Sequence, residues 1–207
     1  MAEKQLSRRE AAGERKRELI LDVARQVFGE EGLDGASLRA IAARAGYTPA
    51  ALYFHFDSKE AMYAEVLHAS LRSLGARVTE AVVRTNTPEQ ALKAAAMSFF
   101  GFYAENPRDL DLGFYLLRGG MKPARLGHER DERLNAALES ALRPIAEAAV
   151  DLGATRAQAD LLMVDCFAHA AGLLMLLHTG RIRMFGASAL ELMEAYVDDR
   201  INQLNEG

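Results

Sequence analysis

Apolar residues recur along this chain every three to four positions, and nowhere do they alternate as a half-buried strand requires, so the pattern predicts helices throughout. Ile20, Val23, Ala24, Val27 and Phe28 form one stripe, and Gly32 follows as a residue able to end that helix in the left-handed region. Leu38, Ile41, Ala42 and Ala45 stand at i, i+3, i+4 and i+7 behind Ser37, an N-cap residue type. Gly46 then allows the chain to change direction at once, Thr48 offers a second N-cap, and Pro49 occupies a first helical position where its missing donor matters little. In the helix starting at Pro49, Leu52 and Phe56 are four apart and face the core, whereas Tyr53 and His55 are expected to point elsewhere with polar tips. Ser58 caps a fourth helix that keeps Leu67, Leu71, Leu74, Val78 and Val82 on one face.

Helix signals organise the remainder too. Thr87-Pro88-Glu89-Gln90 reads as a capping box with proline at the first helical position, opening a helix through Phe99, Phe100 and Tyr103. Asn106-Pro107 starts another toward Leu117, and the glycines and proline between Arg118 and Pro123 predict a loop. A long helix is expected from about Arg125 to Leu152, kinked or split at Pro144. Thr155…Gln158 and Ser188…Glu191 are two further capping boxes, opening the last two helices. The expected fold is all-α.

Two short helices joined by a tight turn, followed by an aromatic cluster and a capped helix, outline a helix-turn-helix reader of DNA over Ser37–Lys59. The chain here resembles the TetR/AcrR family of bacterial transcription regulators. The likeness runs through Val27-Phe28, Gly32, Ser37, Ile41-Ala42, Gly46, Leu52-Tyr53, His55-Phe56 and Ser58-Lys59, roughly a quarter of the sequence. It implies an N-terminal three-helix DNA-binding domain, residues 1–60, followed by a larger helical domain, residues 61–207, that dimerises and binds a small molecule.

Charge narrows the expectation. The 207 residues carry a net charge of −4, and residues 1–60 hold ten basic and ten acidic side chains, so this is no general polyanion binder. Arg8, Arg9, Arg15, Lys16 and Arg17 cluster before and at the first helix, with Arg39, Arg44 and Lys59 beside the motif. That run is either a solvated tail or a set of phosphate contacts, and nucleic acid is expected only at the N-terminal end. No apolar run is expected to reach the ~18 to 20 residues that span a bilayer, the longest, from Cys166 to Leu177, being interrupted by His169, and no secretory signal is visible. The single cysteine forms no internal disulfide, in keeping with a reducing cytoplasm.

Carried over position by position, the resemblance implies backbone contacts from Ser37, Thr48, Tyr53, His55 and Lys59. Arg39 is the candidate for guanine O6/N7. Pro49, Ala50 and Ala51 occupy the part of the second helix that would enter the major groove, yet none has a hydrogen-bonding side chain, unlike relatives with Lys, Gln or Asn there. Specificity is therefore expected from Arg39, from Ala or Pro contact with thymine methyls, and from DNA shape.

Behind the DNA unit, Leu161–Leu177 mixes Ala168, Ala170, Ala171 and Gly172 with Leu and Met; together with Leu190, Leu192, Met193, Tyr196, Val197, Ile201 and Leu204 it resembles the family's dimer-forming helix pair. Phe99, Phe102, Tyr103, Phe114, Tyr115, Met163 and Phe167 are candidates for an apolar effector pocket, with Arg118, His128 or His169 orienting a polar group; the same aromatics would equally serve as plain core. Asp165 and His169 share a helix face, but His178 is nine residues further and half a turn away, so no metal site follows. Cys166 reads as a small buried hydrophobe. No cofactor motif or catalytic constellation is present, and no enzyme is expected. The leading reading is a ligand-responsive repressor, a dimer on a palindromic double-stranded operator, answering to a small hydrophobic or amphipathic effector. The alternative is a non-sensing DNA-binding or nucleoid-organising protein on the same scaffold.

Overall fold

The structure, a computed structural model, describes residues 2–114 and 126–206, with the side chains of residues 2–12 and 114 excepted. Among the described residues there are nine α-helices and no strand. In order they are α1 (Ala2–Gly35), α2 (Leu38–Ala45), α3 (Pro49–His55), α4 (Lys59–Val83), α5 (Pro88–Glu105), α6 (Pro107–Phe114), α7 (His128–Asp151), α8 (Arg156–His178) and α9 (Ala189–Glu206), with a short 3-10 turn at Arg181–Phe185. The backbone of α1 breaks at Gly32, where φ is 71° and ψ 175°. This is the conformation for which the sequence reserved a glycine.

The chain forms two compact units: Met1–Ala69 with Arg108–Leu134, and Ser70–Pro107 with Asn135–Gly207. In the first, α1, α2 and α3 pack around Ile20, Phe28, Ile41, Leu52 and Phe56, all buried. Helix α6 joins that unit through Asp109, a buried carboxylate paired with Arg25, and through Leu112, whose carbonyl accepts a 2.5 Å bond from the buried Tyr63 hydroxyl. The Tyr63 ring in turn meets Phe28 edge to face, with centroids 5.0 Å apart. In the second unit, α5, α8 and α9 pack against one another over Leu92, Phe100, Leu174, Met193 and Val197.

Two local expectations change. Pro144 neither splits nor ends α7, which runs from His128 to Asp151 through it. The carbonyl that proline leaves without a partner belongs to the exposed Ser140, where water can take the bond, and buried Ala141, Leu142, Ile145 and Ala146 hold the helix on both sides. The box at the start of α5 is only half a box: Thr87 Oγ1 accepts from the Gln90 amide, but Gln90 Oε1 accepts from the Asn86 amide, not that of Thr87. At α8 both arms close, between Thr155 and Gln158.

Helix α8 is long and apolar enough to cross a membrane by length and composition alone, yet it packs into the second unit. It leaves one face uncovered, where Leu161, Val164, Ala168, Gly172 and Met175 follow at helical spacing and are all exposed, Leu161 to 70%.

Candidate nucleic-acid interface

Local chemistry builds the α2–α3 pair. Ser37 Oγ accepts from the Ala40 amide at 3.1 Å and Thr48 Oγ1 from the Ala51 amide at 3.3 Å, so each helix has an orphan donor satisfied at its start. Helix α2 ends in a Schellman arrangement: Gly46 sits at φ 72° and its amide reaches the Ala43 carbonyl, while the Tyr47 amide reaches that of Ala42. Three residues therefore suffice to turn the chain into α3, and Leu52 anchors the second helix in the core.

Around this frame the sequence-predicted contacts fall into two sets. Ser37, Arg39, Thr48, Pro49, Ala50 and Tyr53 are exposed. His55 and Lys59 are half-buried. The His55 ring sits between Phe54 and Phe56, and His55 lines a cavity of about 500 Å³ in the first unit with Arg17, Glu65, His68 and Arg133. Lys59 Nζ donates to the Leu33 carbonyl at 3.0 Å. Thus His55 does not point freely away from the core, because its neighbour Phe54 takes the outward position, 86% exposed, beside Tyr53 at 55%. Sequence reasoning missed Phe54. The signal was available, since Pro49, Ala50, Tyr53 and Phe54 share one helix face at i, i+1, i+4 and i+5.

The basic residues near the motif are not equally available. Arg44 is held by both Glu30 oxygens, at 2.5 and 3.0 Å, which keeps the Glu30 carboxyl below its usual range. Arg17 and Arg133 both bond Glu65; burial works to raise that carboxyl, and the two guanidiniums outweigh it, leaving it lowered. Lys16 lies over the Tyr47 ring, 4.6 Å from its centroid, and Arg17 over Phe56. Arg39 has no ion pair among the described residues.

The predicted effector set is divided. Phe99, Phe102, Tyr103, Met163, Phe167 and His169 belong to the second unit, where Phe99 meets Tyr103 and Phe167 edge to face at 5.3 and 5.8 Å, and Phe102 meets Tyr103 at 5.2 Å. His128 belongs to the first unit, on the cavity lined by His55, with its side chain 89% exposed beside Glu132. Phe114 ends α6 with its side chain outside the described residues, and Tyr115, Arg118 and the expected loop over residues 118–123 also lie outside them. His169 stacks on Tyr196 at 3.9 Å, and the Tyr196 hydroxyl bonds Asp165. Burial lowers the His169 imidazole, and its Nε2 is enclosed with no partner among the described residues. His178 Nε2 donates to the Tyr103 carbonyl at 2.9 Å. Cys166 is buried and its thiol pushed up to about 12, so it stays an unreactive hydrophobe.

Comparison with known proteins agrees with this geometry. Residues 20–66 match the family of bacterial regulatory proteins, tetR family. The chain is 33% identical over 122 residues to the HTH-type transcriptional activator FasR of Mycolicibacterium smegmatis, covering 55% of this chain and 56% of that protein. It is 42% identical over 67 residues to the HTH-type transcriptional repressor KstR2 of Rhodococcus jostii, covering 32% of this chain and 33% of that one. The matches thus span about half the length of the first relative and a third of the second. The transcriptional regulator FadR of Bacillus subtilis, solved with stearoyl-CoA, shares the fold with a TM-score of 0.67 at 17% identity, over 91% of this chain and 97% of that one.

Proposed function

The chain belongs to the TetR family, and from that premise we propose that it is a sequence-specific DNA-binding transcriptional regulator, a repressor that dimerises on a palindromic operator and is released by a small molecule. The observation that carries this reading is the capped α2–turn–α3 pair, which leaves Arg39, Pro49, Ala50 and Tyr53 exposed next to backbone-clamping types at Ser37, Thr48, His55 and Lys59. Arg39 reads a guanine, Pro49 and Ala50 face the bases, and Ser37, Thr48, Tyr53, His55 and Lys59 hold phosphates.

The uncovered face of α8, with Leu190 and Leu192 exposed on α9, supports dimerisation through these two helices. Two-fold pairing matches the protein to a palindrome whose half-sites demand a fixed separation. An effector bound in the second unit, among Phe99, Phe102, Tyr103, Met163, Phe167 and His169, acts by favouring a dimer whose heads no longer fit that spacing. Stearoyl-CoA, held by FadR, is an amphipathic molecule of the class expected. The protein acts in the cytoplasm. A genomic footprint tests the reading, followed by binding of the recovered site against random duplex at moderate salt. Equal affinity for both overturns it.

One observation favours a second reading. The aromatics of the second unit already interlock, as a filled core would, and a regulator or nucleoid protein without an effector would need no more. A thermal-shift series with acyl-CoA esters and other amphipathic acids separates the two, since only a sensing protein is stabilised.

A further inference from the structure

The outward face of α3 carries almost nothing that can form a hydrogen bond. Pro49, Ala50, Tyr53 and Phe54 share that face and are all exposed; the Tyr53 hydroxyl is its single polar side-chain group. Phe54 is the anomaly. The other phenylalanines of the three-helix core, Phe28 and Phe56, are buried at 3% exposure, while Phe54 lies 86% exposed, with the His55 ring set edge-on against it at 5.3 Å. Ala50 lies one turn before it, so the two form an apolar strip along the surface of the helix.

The geometry points to thymine as the base that α3 reads, recognised through its 5-methyl group by Phe54 and Ala50. This rests on the DNA-binding reading above and specifies what the second helix of the motif recognises. Of the groups that base pairs present in the major groove, the thymine methyl is the apolar one; guanine and adenine offer N7, and guanine O6, cytosine N4, adenine N6 and thymine O4 are hydrogen-bonding groups. An apolar strip laid over a polar edge leaves that edge without water and without a partner, so the same surface that favours a methyl penalises G·C. Occupancy by DNA follows from continuity: the strip shares its helix with Tyr53 and the Thr48 cap, and α2 brings the exposed Arg39.

The test uses the full chain and its footprinted operator. Thymines of each half-site are replaced singly by uracil, which removes the methyl and leaves every hydrogen-bonding group in place. At one or two positions per half-site binding weakens roughly fourfold per methyl, the equivalent of one buried carbon group. In a Phe54→Ala variant, whose exposed position spares the fold, thymine and uracil bind alike at the position that the ring covers. Operator binding that ignores uracil throughout overturns the inference and leaves the DNA-binding reading standing. So does a Phe54→Ala loss that is equal for both duplexes, which would put the ring on the sugar–phosphate backbone. Absence of any preference for the operator over random duplex overturns both.

Discussion

The Lys59 ammonium donates a 3.0 Å hydrogen bond to the carbonyl of Leu33, the residue that follows the backbone break at Gly32. A group marked by its position for phosphate thus also ties the first turn of α4 to the end of α1. The two roles are compatible, because an ammonium has three donors and one is used here.

Removing that ammonium should act on both. Lys59→Met is expected to lower stability by about 1 kcal/mol, since one charge-assisted bond is lost at a half-exposed position. It should also weaken DNA binding evenly across sequences and reduce the salt slope by about one. Urea unfolding and a salt titration of operator affinity check the two effects separately.

Arg39 and Arg44 flank the same short helix but differ in engagement, Arg44 being held in a bidentate pair by Glu30. Arg39→Ala is expected to cost about 1–3 kcal/mol of discrimination at one G·C position. Arg44→Ala should leave discrimination intact. Competition binding with single-base operator variants reads this directly, and unchanged discrimination in Arg39→Ala refutes base reading by that residue.

Gly46 isolates a backbone effect. A Cβ built there meets nothing within 4 Å, so Gly46→Ala is opposed only by its φ of 72°. The expected loss is about 1–2 kcal/mol in denaturant unfolding, with Gly46→Asn milder because asparagine tolerates the left-handed region better.

Leu161→Glu places a carboxylate on the uncovered face of α8, where the side chain is already 70% exposed. The variant should keep the helix content of the parent and sediment as a monomer, binding a full palindrome no better than an operator half-site. A dimer of unchanged affinity would rule out α8 as the seam.

His169 links the second unit to pH. Burial lowers its imidazole below the ordinary value of 6.5, with Asp165 opposing that shift and Arg200 adding to it. The unfolded chain therefore binds the proton more readily than the folded one between the two values. The contribution of the neutral imidazole is present above about pH 6.5 and is lost as pH falls through that window. Melting temperature should decline from pH 7 toward 5, and His169→Phe should flatten the decline.

Legibility followed the range of the interactions. Ser37, Thr48 and Thr155 cap as expected because a cap involves residues three apart, and Gly32 and Gly46 turn as expected because backbone sterics are local. Phe54 escaped notice among four ring-bearing residues in a row, Tyr53 to Phe56, since outward direction depends on which neighbours Leu52 and Phe56 find. Pro144 does not split α7, one of its two expected effects, because the cost of a proline depends on whether the freed carbonyl meets water.

By itself, then, the sequence determined the helices, their punctuation and the helix-turn-helix order, all consequences of periodicity and short-range hydrogen bonding. Only the tertiary structure decided which charges are spent internally, as in Arg44 with Glu30 and Arg25 with Asp109, and that α6 joins the N-terminal unit. Only it decided which apolar side chains remain outside, Phe54 on α3 and Leu161 on α8. The reason is that burial and ion pairing are properties of what packs opposite a residue, and partners 14 to 84 positions away leave no mark on the local pattern.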